Sequence, residues 1–117
     1  MNEYTEITSS EELTRALEES ARRDVLFFKH SNSCGVSDRA FREFRKYLET
    51  EESRQTAHYL ITVQRARPAS DELARRLGVQ HESPQAILVR DGKAIWTESH
   101  LALKEGALIA AVKTAQG

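Results

Sequence analysis

Val25-Leu26-Phe27-Phe28-Lys29-His30-Ser31-Asn32-Ser33-Cys34-Gly35-Val36-Ser37 is the stretch on which the fold turns. Val25 to Phe28 is a continuous apolar run, the mark of a short strand covered on both faces. Lys29 to Ser33 read as a polar loop, and an amphipathic helix then runs from about Cys34 to Leu48. Phe41, Phe44, Tyr47 and Leu48 form its apolar stripe, while Arg39, Arg42, Glu43, Arg45 and Lys46 face water. Strand, loop and helix in that order put Cys34 at a helix N-terminus. Backbone amides there are unpaired and carry partial positive charge, so a thiolate gains hydrogen bonds and a favourable dipole. Gly35 lets amides come close to the sulfur or to a bound disulfide. Ser37 stands one helical turn on, from where its hydroxyl can reach the thiolate, and Lys29 and His30 add positive potential before the loop.

The periodicity on either side builds the rest of the chain. Ser9-Ser10-Glu11-Glu12 has the hydroxyl and early acids of a helix start. Leu13, Ala16, Leu17 and Ala21 recur at helical spacing, and Asp24 ends that helix. Beyond the central helix, His58 to Val63 reads as a second strand and Gln64 to Ala69 as a loop. Ser70 caps a short third helix that buries Leu73, Ala74 and Leu77 and stops at Gly78. Gln85 to Val89 is a third strand. Arg90-Asp91-Gly92-Lys93 makes a hairpin turn into an edge strand, Ala94 to Thr97. A last helix covers about Leu103 to Ala115.

Composition bounds what such a chain does. The 117 residues include a single cysteine, 17 basic and 18 acidic side chains, giving a net charge of -1. One compact domain over 1–117, with its core at about 9–115, is the expected organisation. A lone cysteine excludes an internal disulfide scaffold and a cysteine-rich zinc module. The near-neutral balance offers no field for nucleic acid or a membrane surface. Met1 to Thr8 is polar and acidic, unlike a signal peptide, and no apolar run is long enough for a bilayer, so a cytoplasmic protein is expected. His30, His58, His81 and His100 are scattered without metal-ligand spacing, so no metal is expected.

The element order is therefore αβαβαββα. A parallel crossover followed by an antiparallel hairpin predicts a four-stranded mixed sheet flanked by helices, the α/β arrangement of a thioredoxin-like fold. Free cysteines are commonly small buried hydrophobes. The Ser, Asn, Gly and Ser around Cys34 make a poor core segment, however, and the strand-loop-helix position favours a reactive thiol. Ser83-Pro84 opens a central strand, where proline cannot donate a ladder bond. In thioredoxin-like domains such a proline follows a cis peptide bond and faces the reactive cysteine. The residue before it offers backbone groups to an extended substrate, a local strand addition.

Together these pieces resemble the monothiol bacilliredoxins. Phe28-Lys29-His30-Ser31 and Ser33-Cys34-Gly35-Val36-Ser37 carry the likeness at the thiol. Leu77-Gly78-Val79-Gln80-His81-Glu82-Ser83-Pro84-Gln85-Ala86 and the hairpin to Ser99-His100 carry it further on. It covers roughly residues 10 to 112. Ser33, Gly35 and Val36 replace the family's usual Thr, Pro and Ile, and Leu101 stands where a tryptophan often follows. Glycine in place of proline loosens the helix start and changes the redox poise.

The resemblance implies a thiol-disulfide oxidoreductase that removes bacillithiol from client mixed disulfides. Cys34 attacks and carries the bacillithiol, Ser37 takes the place of a resolving cysteine, and Ser33, Gly35, Val36, Ser83 and Pro84 contact the substrate. An external thiol or a partner reductase completes the cycle. Bacillithiol is then a co-substrate, nothing is tightly bound, and a monomer is expected. Two other readings compete. Cys34-Gly35-Val36-Ser37 is one residue from the Cys-Gly-Phe-Ser of monothiol glutaredoxins, which carry an iron-sulfur cluster. The second competitor is a thioredoxin-like binding module with an idle thiol.

Overall fold

The computed structural model describes residues 3–117; Met1 and Asn2 of the expected 1–117 domain lie outside the described residues. Its strands are β1 (Thr5–Glu6), β2 (Val25–His30), β3 (Ala57–Thr62), β4 (Gln85–Arg90) and β5 (Lys93–Ser99). Its α-helices are α1 (Ser10–Glu19), α2 (Gly35–Leu48), α3 (Arg67–Leu77) and α4 (Glu105–Gln116). The strands form one mixed sheet in the order β1-β3-β2-β4-β5. β2 runs parallel to β3 and antiparallel to β4, so it is central and apolar on both faces. Leu13, Leu17, Phe27, Leu73 and Ile87 fill the core on the α1/α3 face. Phe28, Phe44, Tyr47, Leu88 and Leu108 fill the other, under α2 and α4.

The expected mixed sheet is present, with five strands in place of four. The additional strand, β1, adds parallel to β3 through Thr5↔Tyr59 and Glu6↔Leu60. Ile7, only 1% exposed, anchors it in the core. Two residues in a polar segment leave no alternation to read, which is why periodicity gives no sign of it.

Several boundaries differ from the expectation, most of them because a distant partner decides where the element ends. The first helix ends at Glu19 and leaves Ala21 exposed. Ser20 turns inward there: its hydroxyl donates to Leu17 O and accepts from Gly92 N–H at 2.9 Å, while its carbonyl accepts from Asp91 N–H at 2.8 Å. The hairpin turn thereby clasps the helix end. Strand β2 runs on through Lys29 and His30, residues expected in a loop. The third helix starts at Arg67, with Pro68 in its first turn, where a missing N–H costs nothing. Ser70 is thus an interior helical residue and not the cap. The last helix starts at Glu105, whose N–H donates to the carboxylate of Glu43 at 2.9 Å. Glu43, expected to face water, is the N-terminal cap of a different helix, and that backbone bond holds its carboxyl below the usual range.

The local signals hold where they are strongest. Asp91 (φ 53°) and Gly92 (φ 74°) are both left-handed, as the hairpin turn requires. Gly78 (φ 66°) closes α3 in the same conformation. Among the described residues, no helix is long and apolar enough to cross a membrane.

Candidate functional site

The register of β2 brings the two sequence-predicted pieces to one end of the sheet. Lys29 pairs with Gln85 across the antiparallel ladder, so the loop leaving β2 towards Cys34 and the Ser83-Pro84 entry to β4 share an edge. Cys34 is the N-cap of α2, with extended backbone (φ −131°, ψ 123°), and its thiol is free and half-buried. Its carbonyl accepts the first helical bond, from Asp38 N–H at 3.1 Å. The Cys34 side chain makes no capping bond to α2, and unpaired amides at a helix N-terminus favour a negative sulfur. Ser33, Gly35 and Val36 are exposed around it, Val36 by 37% of its surface. Above Gly35 lies open space: a Cβ there would meet nothing within 4 Å.

Ser37 is placed differently from the expectation that its hydroxyl serves the thiolate. It is fully buried, accepts from Ser31 N–H at 2.9 Å and lies 2.9 Å from His30 Nδ1. Burial pushes the His30 pKa down, which keeps the ring neutral; Ser37 then donates to Nδ1, and His30 Nε2–H faces Asp38 at 4.0 Å. Among the described residues no hydrogen bond joins Ser37 to Cys34. Its hydroxyl instead pins the loop that delivers the thiol. His30 is stacked on Phe41 with ring centroids 4.9 Å apart, so it too acts as a fastening.

Lys29 is also placed elsewhere. Its side chain is fully buried on the α3 face of the sheet, opposite α2, with Nζ 3.0 Å from Ser70 O and 3.2 Å from His81 Nδ1. It is held away from the thiol, and burial pushes its pKa down to about 8. The Ser83–Pro84 peptide bond is cis, Pro84 is buried, and Pro84 O accepts from His100 N–H at 3.1 Å. His100 Nε2 lies 2.8 Å from the Glu82 carboxylate.

One contributor went unseen in the sequence. Gln64, just past β3, accepts from Asn32 N–H at 3.1 Å and donates to Ser31 Oγ at 2.8 Å and Ser33 Oγ at 3.1 Å. It braces the loop before Cys34 from a neighbouring strand. A lone glutamine in a predicted loop carries no pattern that would have found it.

The family model described as monothiol bacilliredoxin BrxC matches residues 5–108. The chain belongs to the monothiol bacilliredoxin family. A solved structure presented as a proposed oxidoreductase with a thioredoxin fold is 30% identical, with a TM-score of 0.80, covering 94% of this bacilliredoxin-family chain and 93% of that one. Malassezia sympodialis thioredoxin is 16% identical with a TM-score of 0.78, covering 100% and 94%. Fasciola hepatica thioredoxin is 14% identical with a TM-score of 0.74, covering 94% and 97%. The last two show the thioredoxin fold, and the family with the first supports a thiol oxidoreductase. In this bacilliredoxin-family chain the cysteine at the start of α2 is the one thiol available for such chemistry, since the sequence holds a single Cys.

Proposed function

We propose that this chain removes bacillithiol from protein mixed disulfides through the Cys34 thiolate. The observation that carries the reading is the half-buried, free thiol at the N-cap of α2, in a family-matched chain with no second cysteine. The thiolate attacks the bacillithiol sulfur of the client disulfide. A Cys34–bacillithiol disulfide forms as the client–bacillithiol bond breaks, and the client thiolate leaves and takes a proton from solvent. One disulfide replaces another, with no net oxidation.

Ser37 stands where a dithiol enzyme has its resolving cysteine, and a buried hydroxyl cannot release the adduct. A second thiol must therefore attack Cys34–S–S–bacillithiol from outside, either free bacillithiol or a cysteine of a partner reductase. Ser33, Gly35 and Val36 line the approach to the sulfur, and Ser83 with Pro84 offers backbone to the client. The protein works as a monomer in a reducing cytoplasm, takes bacillithiol as co-substrate and keeps nothing tightly bound.

Intact-mass measurement after mixing with oxidised bacillithiol or with glutathione disulfide tests the reading. Wild type is expected to gain one bacillithiol, and Cys34→Ser none. Equal loading of both thiols removes the bacillithiol assignment, and no loading removes the exchange reaction.

A further inference from the structure

The central strand of this domain carries a buried lysine directly after the apolar run Val25 to Phe28. Lys29 shows 0% of its surface to solvent and pairs in the ladder with Gln85 on one side and Ile61 on the other. Paired residues project to the same face of a sheet, so Lys29 and Gln85 lie side by side beneath the segment that leads into β4. Lys29 Nζ donates to Ser70 O at 3.0 Å and to His81 Nδ1 at 3.2 Å. Gln85, also buried, donates Nε2–H to Gln80 O at 3.0 Å and accepts from Glu82 N–H at 3.4 Å. Three consecutive residues, Gln80, His81 and Glu82, are thereby gripped from below by two neighbouring strands.

Burying an ammonium is expensive, and an apolar side chain of similar length would fill the same space at less cost. No carboxylate salt-bridges Lys29 among the described residues; its acceptors are a helix carbonyl and an imidazole nitrogen. What the charge achieves here is a strong directional tie between β2, α3 and the loop before Pro84. We infer that Lys29 and His81 are positioning residues that set the Glu82-Ser83 backbone against which an extended client segment pairs, so that their bond governs reaction with peptide disulfides and not the reactivity of Cys34 itself. This rests on the exchange reaction proposed above.

The tie has a definite protonation state. His81 Nδ1 accepts from an ammonium, so the ring must be neutral. The charged groups acting on the pair are Asp71 on Lys29, and Lys29, Asp71, Glu82 and Arg67 on His81. Burial first, then the Lys29 charge, holds the His81 pKa below its ordinary value. Acidification through that depressed value sets two cations against each other and breaks the Lys29–His81 tie, leaving Gln85 alone to hold the loop.

Two substrates with the same sulfur chemistry separate this role from general damage. One is oxidised bacillithiol, which has no peptide backbone; the other is the mixed disulfide of bacillithiol with a short extended peptide. Lys29→Met and His81→Ala are expected to slow attack on the peptide disulfide about tenfold, as a small misplacement of a docking surface does, and to leave attack on oxidised bacillithiol unchanged. His81 is exposed, so its variant folds even where the buried substitution fails. In Lys29→Met, the ring-proton titration of His81 is expected to move up towards the ordinary histidine value. Equal slowing on both substrates, or no slowing on the peptide, overturns the inference while the exchange reaction stands. A wild type inert towards both disulfides overturns the exchange reaction and the inference with it.

Discussion

On the α2 face of β2 the apolar run Leu26, Phe28 ends at His30, and on the α3 face Val25, Phe27 ends at Lys29. Both polar residues are turned into the molecule, and each fastens a different loop. His30 holds the thiol loop through a side chain, the Ser37 hydroxyl. Lys29 holds the proline loop through a backbone carbonyl, Ser70 O, and an imidazole. One strand thus delivers two halves of a site by two kinds of tie. The difference teaches where each half is fragile: the first depends on the identity of a hydroxyl, the second on a charge.

The largest expected stability effect lies on the α2 face. His58, on β3, is buried and hydrogen-bonded through Nε2 to Tyr47 Oη at 2.8 Å. Burial, aided by the Arg23 charge, pushes its pKa down to about 4. In the unfolded chain it titrates near ~6.5, so the unfolded state binds the extra proton first as pH falls. Stability is therefore full above the unfolded value and is lost as pH falls towards about 4, by about 3 kcal/mol in all. Urea unfolding at neutral and acid pH checks this, and a His58→Gln variant should flatten the profile. A wild-type acid profile no steeper than the variant's would sink the assignment.

The contrast between the two ties is sharpened by paired serine substitutions. Ser37→Ala strands the half-buried Ser31 N–H and His30 Nδ1 and is expected to cost about 2 kcal/mol. Ser70→Ala keeps the carbonyl that Lys29 uses and loses only a hydroxyl 3.5 Å from His81, so it should cost under about 1 kcal/mol. Thermal melts of the two variants decide the matter, and equal losses would erase the distinction. The smallest effect is expected at Gln64, whose bonds to the thiol loop are solvent-exposed. Gln64→Ala should cost under about 1 kcal/mol and slow bacillithiol loading by no more than about threefold; stopped-flow mixing measures the rate. A larger loss would make the brace as important as the Ser37 pin.

The parts of this fold that were legible in the sequence are those whose cause is local. Asp91-Gly92 and Gly78 needed left-handed backbone, and the chain supplied residues that tolerate it. Val25 to Phe28 could be read as buried on both faces because four apolar residues run together. Cys34 at a helix start followed from the neighbours of one residue. The misreadings arise where a partner distant in the chain decides the matter. Lys29 reads as loop because lysine seldom enters a core, and its acceptors at Ser70 and His81 lie far along the chain. Glu43 reads as solvated because its donor, Glu105, belongs to another helix. Ser37 looks like a helper of the thiol from spacing alone, yet its hydroxyl is committed to His30 and Ser31.

The Glu43–Glu105 bond has a consequence for how the molecule assembles. Lys104, the residue in the cap position of α4, provides no side-chain bond of its own, and a short helix without a cap nucleates poorly in water. The carboxylate that completes α4 sits on α2, 62 residues earlier in the chain. Helix α4 therefore has its start signal written in another helix, and it gains full order only after α2 has docked on the sheet. During synthesis the C-terminal segment would emerge onto a surface already formed, burying its own Leu103, Leu108 and Val112 against Phe28, Phe44, Tyr47 and Leu88.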